Sequence, residues 1–154
     1  MTVSVDIDLG YEFAVKAPFK EVFALLADVP KSASHFPKVK KLHDLGDNAY
    51  RWEMQKIGID KYSIQTIYAC RYASDKTKGS VTWTPVAGVG NASVEGSWSI
   101  RREGGSTSIS LAVKGNLTVP LPSLAKRVVA PVARREFESM VDKYIENLKK
   151  TFAA

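Results

Sequence analysis

Two histidines, one cysteine and a set of tyrosines are the residues in this 154-residue chain whose chemistry must be placed first. His35 stands in the stretch HFPKVKKL, beside Lys38, Lys40 and Lys41, and His43 follows closely. A histidine works as an acid or base when a nucleophile and an orienting carboxylate surround it. The local sequence around both histidines offers no activated serine. Two histidines without a matching carboxylate cluster are no metal signature either. Cys70 falls among apolar positions, where a cysteine acts as a small hydrophobe. GVGNAS lacks the strand-to-helix setting of a phosphate loop. The expectation is therefore no metal, no cofactor and no assigned catalytic residue.

The tyrosines and one arginine carry more information. Tyr11, Tyr50, Tyr68 and Tyr72 share the apolar phase of their segments. Buried hydroxyls seek partners, and either the backbone or a ligand carbonyl or hydroxyl would serve. Arg134 is in helical phase with Val141, Ile145 and Phe152, which would bring it to the border of an interior space. A guanidinium there binds carboxylate, phosphate or enolate; the bland alternative is a stem lying along the helix edge. Lys126, Arg127, Arg134 and Arg135 surround Pro131, next to the apolar run from Leu121 to Val129. Such a set suits transient contact with an acidic membrane, or a simple solvated face.

The elements that position these residues are legible in the hydropathy pattern. Val3, Val5, Ile7, Leu9, Tyr11, Phe13 and Val15 take every odd position, with Ser4, Asp6, Asp8, Gly10, Glu12, Ala14 and Lys16 between them. That period is a long strand with one dry face. APFKEVFALLADVP opens with the proline that a first helical turn favours. It carries a stripe at Phe19, Val22, Phe23 and Leu26 and stops before Pro30. KSASHF reads as a second short helix, ended at Pro37. About six strands follow to residue 118, one of them running from Tyr62 to Tyr72 and another carrying Lys38, Lys40 and Lys41 on its wet side and end, around Val39 and Leu42. The dry faces collect Tyr11, Phe13, Tyr50, Trp52, Met54, Tyr68, Trp83 and Trp98, with Gly96 and Gly115 among them. These aromatics either pack a core or wall a cavity. The remainder is helical, with a break or kink expected at Pro131 and a stripe at Phe137, Met140, Val141, Tyr144, Leu148 and Phe152. Leu124, Val128 and Val132 are expected on a separate short helix.

This order, and above all VKAPFKEVFALLADVPKSASHFPKV, resembles the START/polyketide cyclase/Bet v 1-like (SRPBCC) superfamily. Within it the chain is similar to the bacterial polyketide cyclase/dehydrase group, to quinone-binding Coq10-like proteins and to one subunit family of carbon-monoxide dehydrogenase. The resemblance implies an α+β helix-grip fold over residues 1–154: a seven-stranded curved antiparallel sheet, two short helices and a long C-terminal helix. It also implies a cavity between sheet and last helix for a lipid, quinone or polyketide-like molecule. Tyr11, Phe13, Tyr50, Trp52, Met54, Tyr68, Trp83, Trp98, Arg134 and Val141 are the expected ligand contacts. Three functions fit: a carrier or sensor of a hydrophobic molecule, a cyclase/dehydrase-like lyase using the same pocket, or an assembly protein. A shared scaffold does not decide among them.

Composition sets outer bounds. The chain is 45% hydrophobic and 25% charged, with a net charge of +6. Its length suits one domain with its own core. The basic residues are dispersed without a nucleic-acid-binding motif, so no nucleic-acid partner is expected. MTVSVDIDLGYEF has neither the basic start nor the apolar run of a signal peptide. A cytoplasmic protein is the resulting expectation.

Overall fold

The computed structural model describes residues 3–59 and 62–153. The first strand, β1 (Val3–Val15), leads into α1 (Phe19–Ala27) and α2 (Val29–Ala33). Then come β2 (Val39–Gly46), β3 (Ala49–Met54), β4 (Ile57–Ile59), β5 (Tyr62–Ile64), β6 (Ile67–Asp75), β7 (Ser80–Pro85), β8 (Ala92–Glu103) and β9 (Ser106–Val119). A 3₁₀ turn (Ser123–Ala125) enters the last helix, α3 (Lys126–Ala153).

Seven strands form one antiparallel sheet in the order β1-β9-β8-β7-β6-β3-β2, as the α+β expectation required. The chain starts at one edge, and α1 and α2 carry it to the other. One residue manages that crossing: the Asp28 backbone N–H closes α1 on the Leu25 carbonyl, and its side chain accepts from the Lys31 N–H at 3.2 Å to open α2. The second helix is therefore VPKSA, with Pro30 in its first turn, rather than the expected KSASHF. Proline fits there because the first N–H groups have no intrahelical partner.

The strand expected from Tyr62 to Tyr72 is divided. Asn91 holds the break, donating from Nδ2 to the Gln65 carbonyl (2.8 Å) and accepting at Oδ1 from the Ile67 N–H (2.9 Å). Residues before it pair as β5 with β4 in a separate small ladder, and residues after it join the main sheet as β6.

Helix α3 runs through Pro131 without the expected break. Proline removes the bond that its N–H would make to the carbonyl four residues back, but the packed face is continuous across it. Val129, Ala130 and Ala133 are buried, in phase with Met140, Val141, Tyr144, Ile145 and Leu148. Leu124 precedes α3 and Val128 lies within it rather than on a separate short helix, and both point outward, with 86% and 46% of their surface exposed. The apolar core lies between the inner sheet face, α1, α2 and α3, and a smaller cluster sits under the start of α3. No described helix is long and apolar enough to cross a membrane.

Candidate functional site

The inner sheet face is paved with aromatic rings. Trp52 and Tyr68 face each other across the β3–β6 ladder and stack at 5.8 Å with an interplanar angle of 11°. Tyr72 contacts Trp83 at 5.8 Å, and Trp83 contacts Trp98 at 6.5 Å. From the helical side, Tyr144 meets Trp98 at 5.8 Å, and Phe36 meets both Trp52 (5.9 Å) and Tyr144 (5.1 Å). Gly96 makes this paving possible. A Cβ there would stand 2.5 Å from the Ala112 carbonyl oxygen and 2.5 Å from Cζ2 of Trp83. The glycine lets the indole lie against the sheet, so its role here is packing.

These rings enclose a cavity of about 60 Å³. Leu26, Val29 and Ser32 close it from α1 and α2, and Phe137, Val141 and Tyr144 from α3. Among the described residues, no Asp, Glu, His, Lys or Arg lines it. Its polar groups are hydroxyls and indole N–H groups. Ser32 Oγ and the Tyr144 hydroxyl hydrogen-bond to each other, and the Trp98 indole also reaches the Tyr144 oxygen. Trp52 Nε1 donates to the Tyr72 hydroxyl at 3.0 Å. The Tyr68 hydroxyl makes no hydrogen bond to a described residue. It is not sealed in, since no fully enclosed polar side-chain atom lacks a partner among the described residues; it opens onto the cavity it lines.

Burial sets the ionisation of this cluster. Desolvation pushes the Tyr144 phenol up to about 12, against the lowering effect of its bonds to Ser32 and Trp98. It drives Tyr68 and Tyr72 well above the ordinary tyrosine value. Cys70, which donates from Sγ to the Val94 carbonyl at 3.2 Å, is pushed up to about 12 by the same desolvation. At neutral pH every one of these groups is protonated. The phenols of Tyr68, Tyr72 and Tyr144, which line the cavity, can donate hydrogen bonds to a carbonyl or enolate oxygen and are not bases in that form.

The expected contact residues divide by position. Trp52, Tyr68, Trp83, Trp98 and Val141 come together at the cavity. Met54 is buried in the core outside its lining. Tyr11 and Phe13 lie on the edge strand, in a groove shared with Asp142, Ile145 and Lys149 of α3. Burial, followed by the nearby Asp142 carboxylate, raises the Tyr11 phenol to about 12. Tyr50 lines a separate surface groove between α2 and β2. Arg134 does not border the cavity: it is exposed, and its Nε donates to the Asp6 carbonyl at 2.9 Å, fastening α3 to β1. His35 is likewise a tether. Its Nδ1 meets the Lys31 carbonyl (2.9 Å) and its Nε2 meets Thr151 Oγ1 (2.8 Å), joining α2 to the end of α3.

Sequence reasoning missed Ser32, Phe36 and Tyr144 as cavity residues, and left Tyr72 among the dry-face tyrosines without naming it a contact. Tyr72 and Tyr144 had a signal, in phase with the other walls. Ser32 had none, because its place depends on how α2 meets α3.

Similarity to known proteins agrees with this architecture. The chain matches the Zhui aromatase/cyclase from Streptomyces sp. R1128 over 94% of its own length and 90% of that chain, at 16% identity and a TM-score of 0.61. It matches a START superfamily protein from Mycobacterium smegmatis over 94% and 96% of the two chains, at 14% identity and a TM-score of 0.64. For the major latex-like protein 151 of Panax ginseng the shares are 97% and 99%, at 13% identity and a TM-score of 0.60. At such identities the likeness is one of fold. No curated protein sequence matches the chain. The model of the family described as polyketide cyclase / dehydrase and lipid transport matches residues 6–153, nearly the whole chain, and the protein belongs to that family.

Proposed function

We propose that this protein binds a hydrophobic small molecule that carries a carbonyl or hydroxyl group, of lipid, quinone or polyketide type. The observation that carries this reading is the Tyr68 hydroxyl, which makes no hydrogen bond to a described residue and belongs to a side chain lining a cavity walled by tryptophans. A hydroxyl left free at an apolar cavity favours a guest that offers it a hydrogen bond, worth about 1 kcal/mol net. Trp52, Trp83, Trp98 and Val141 are the proposed apolar contacts. Affinity would come mainly from burying apolar surface, at about 25 cal/mol per Å². Ligand pockets usually hold roughly 300 Å³ or more, well above the 60 Å³ of this cavity. Binding therefore includes outward movement of side chains or of α3.

Cyclase-like catalysis draws support from the convergence of Ser32, Tyr68 and Tyr144, which could share an enolate oxygen. The absence of a base among the described lining residues makes binding the better-supported role. An assembly role predicts a broad apolar surface, whereas Leu45, Leu124 and Val128 are the only large apolar side chains exposed among the described residues. The last two stand beside Lys126 and Arg127, and no acidic residue occurs from 121 to 135. That combination supports transient docking on an acidic membrane during ligand exchange.

The test uses prodan, a fluorescent naphthyl ketone, with wild type and two variants. Tyr68→Phe should bind it about fivefold more weakly, the equivalent of one net hydrogen bond of ~1 kcal/mol. The same variant should be at least as stable as wild type. Tyr144→Phe should instead lose stability, by about 1–2 kcal/mol, because Ser32 and Trp98 lose their partner. Equal prodan affinity in wild type and Tyr68→Phe, or no prodan binding at all, would rule the reading out.

A further inference from the structure

A second apolar cavity lies beside the first. It measures about 40 Å³ and sits under the N-terminal half of α3, roofed by Ala133 and Met140 and flanked by Ile57, Ile64 and Gly115. Two residues line both spaces: Val94 from the sheet and Phe137 from α3. The partition is thus one valine side chain and one partly buried phenylalanine ring. Along α3 the combined space runs from Ala133 to Tyr144, about 16 Å at the usual helical rise.

Gly115 distinguishes the second cavity from a packing fault. It occupies an inward register position of β9, between the buried Val113 and Leu117. A Cβ at this glycine would meet nothing nearer than the Ser93 carbonyl oxygen at 3.3 Å and Val94 Cγ2 at 3.6 Å. Gly96 is demanded by a ring lying on it; Gly115 is covered by nothing so close. Glycine weakens a strand interior; here no ring lies on it, although a Cβ would press on the Ser93 carbonyl oxygen at 3.3 Å.

We infer that the second cavity is a subsite for the apolar tail of an elongated ligand, and that Phe137 sets the length of tail accepted. This rests on the binding function proposed above. The polar end of the ligand bonds to the hydroxyls around Tyr68 and Tyr144, its flat portion lies among the tryptophans, and its tail passes Val94 when the Phe137 ring turns aside. Each methylene buried in the second cavity is worth about a fourfold gain in affinity.

Prodan and laurdan test this directly, because they share one fluorophore and ketone and differ only in a short propionyl or long lauroyl arm. Phe137→Ala removes the partition and should tighten laurdan at least tenfold relative to prodan. Gly115→Val fills the floor with a residue that strands favour; it should weaken laurdan about tenfold, the factor for ~1.4 kcal/mol, while prodan stays within about twofold. If either variant fails to fold, the other decides alone. Prodan binding with a laurdan-to-prodan ratio unmoved by the folded variants overturns the subsite and leaves the binding function standing. Absence of prodan binding to wild type overturns both.

Discussion

Replacing Gly96 with alanine tests the link between sheet packing and the cavity in one step. The new methyl would stand 2.5 Å from the Ala112 carbonyl oxygen, 2.5 Å from Trp83 Cζ2 and 2.7 Å from Trp83 Cε2. Relaxed carbon contacts lie at about 3.5–4.0 Å, so roughly 1 Å must be found. The carbonyl belongs to β9, whose residue Ala112 sits in register with both Gly10 and Ser97, and cannot retreat without disturbing two ladders. The indole must therefore move, yet Tyr72 and Trp98 hold it on both sides. Its open direction is the cavity it lines. Overpacking of this kind costs about 1–3 kcal/mol, and the reduced freedom of the unfolded chain returns about 0.4–1 kcal/mol. A net loss of about 1–2 kcal/mol lowers Tm by about 2–8 °C in a chain of this size. Thermal melting followed by circular dichroism reads that loss, near-ultraviolet circular dichroism reads the displaced indole, and prodan titration reads the narrowed cavity. A Tm within about 1 °C of wild type, together with an unchanged near-ultraviolet spectrum, would refute the role given to Gly96.

Two further outcomes follow from the same structure. The buried phenols and the Cys70 thiol have folded-state values above their ordinary ones, so the folded state holds protons that the unfolded chain has released. Their stabilising effect is complete below about pH 9 and is lost as pH rises towards 12. For Tyr144, raised from 10.0 to about 12, the loss is on the order of 3 kcal/mol; urea midpoints measured from pH 8 to 12 should fall monotonically, and a flat profile would contradict the burial of these groups. At the surface, flotation with phosphatidylglycerol-containing vesicles should recover wild type and much less of a Leu124→Ser/Val128→Ser double variant, and binding should fall as salt is raised. Equal recovery of both proteins, or equal recovery by neutral phosphatidylcholine vesicles, would remove the membrane contact.

How much of this was legible in the sequence differs by element. Strand β1 declared itself, because a strand with one dry face alternates strictly and every odd position obeyed. The tryptophans were legible for the same reason. The start of α3 was not. Leu124, Val128 and Val132 outshine Ala125, Ala130 and Ala133 on any apolarity scale, yet the alanines and Val129 are the inward residues. Small side chains let the helix approach the sheet edge closely, and periodicity does not say which face has a partner. Arg134 was misplaced because its phase was projected from Phe152, across many helical turns, onto an end of α3 that meets the edge strand instead of the cavity. Tyr11 and Phe13 sit on the predicted dry face, but β1 is an outermost strand, so that face meets the flank of α3 there. The hydroxyl cluster joins α2, β6 and α3, and no local pattern records such a meeting.

The sheet order has a consequence for synthesis on the ribosome. Strand β1 pairs only with β9, in a ladder running from Val3↔Val119 to Val15↔Thr107. At about 5–20 residues per second, β1 waits on the order of ten seconds for its partner. During that wait it is a long apolar ribbon with both edges unpaired, the state most open to mispairing between chains. Asp6, Asp8 and Glu12, spaced along its wet face, are charges of the kind that oppose such mispairing. The alternation that makes the strand readable is also what keeps it soluble until the rest of the sheet exists.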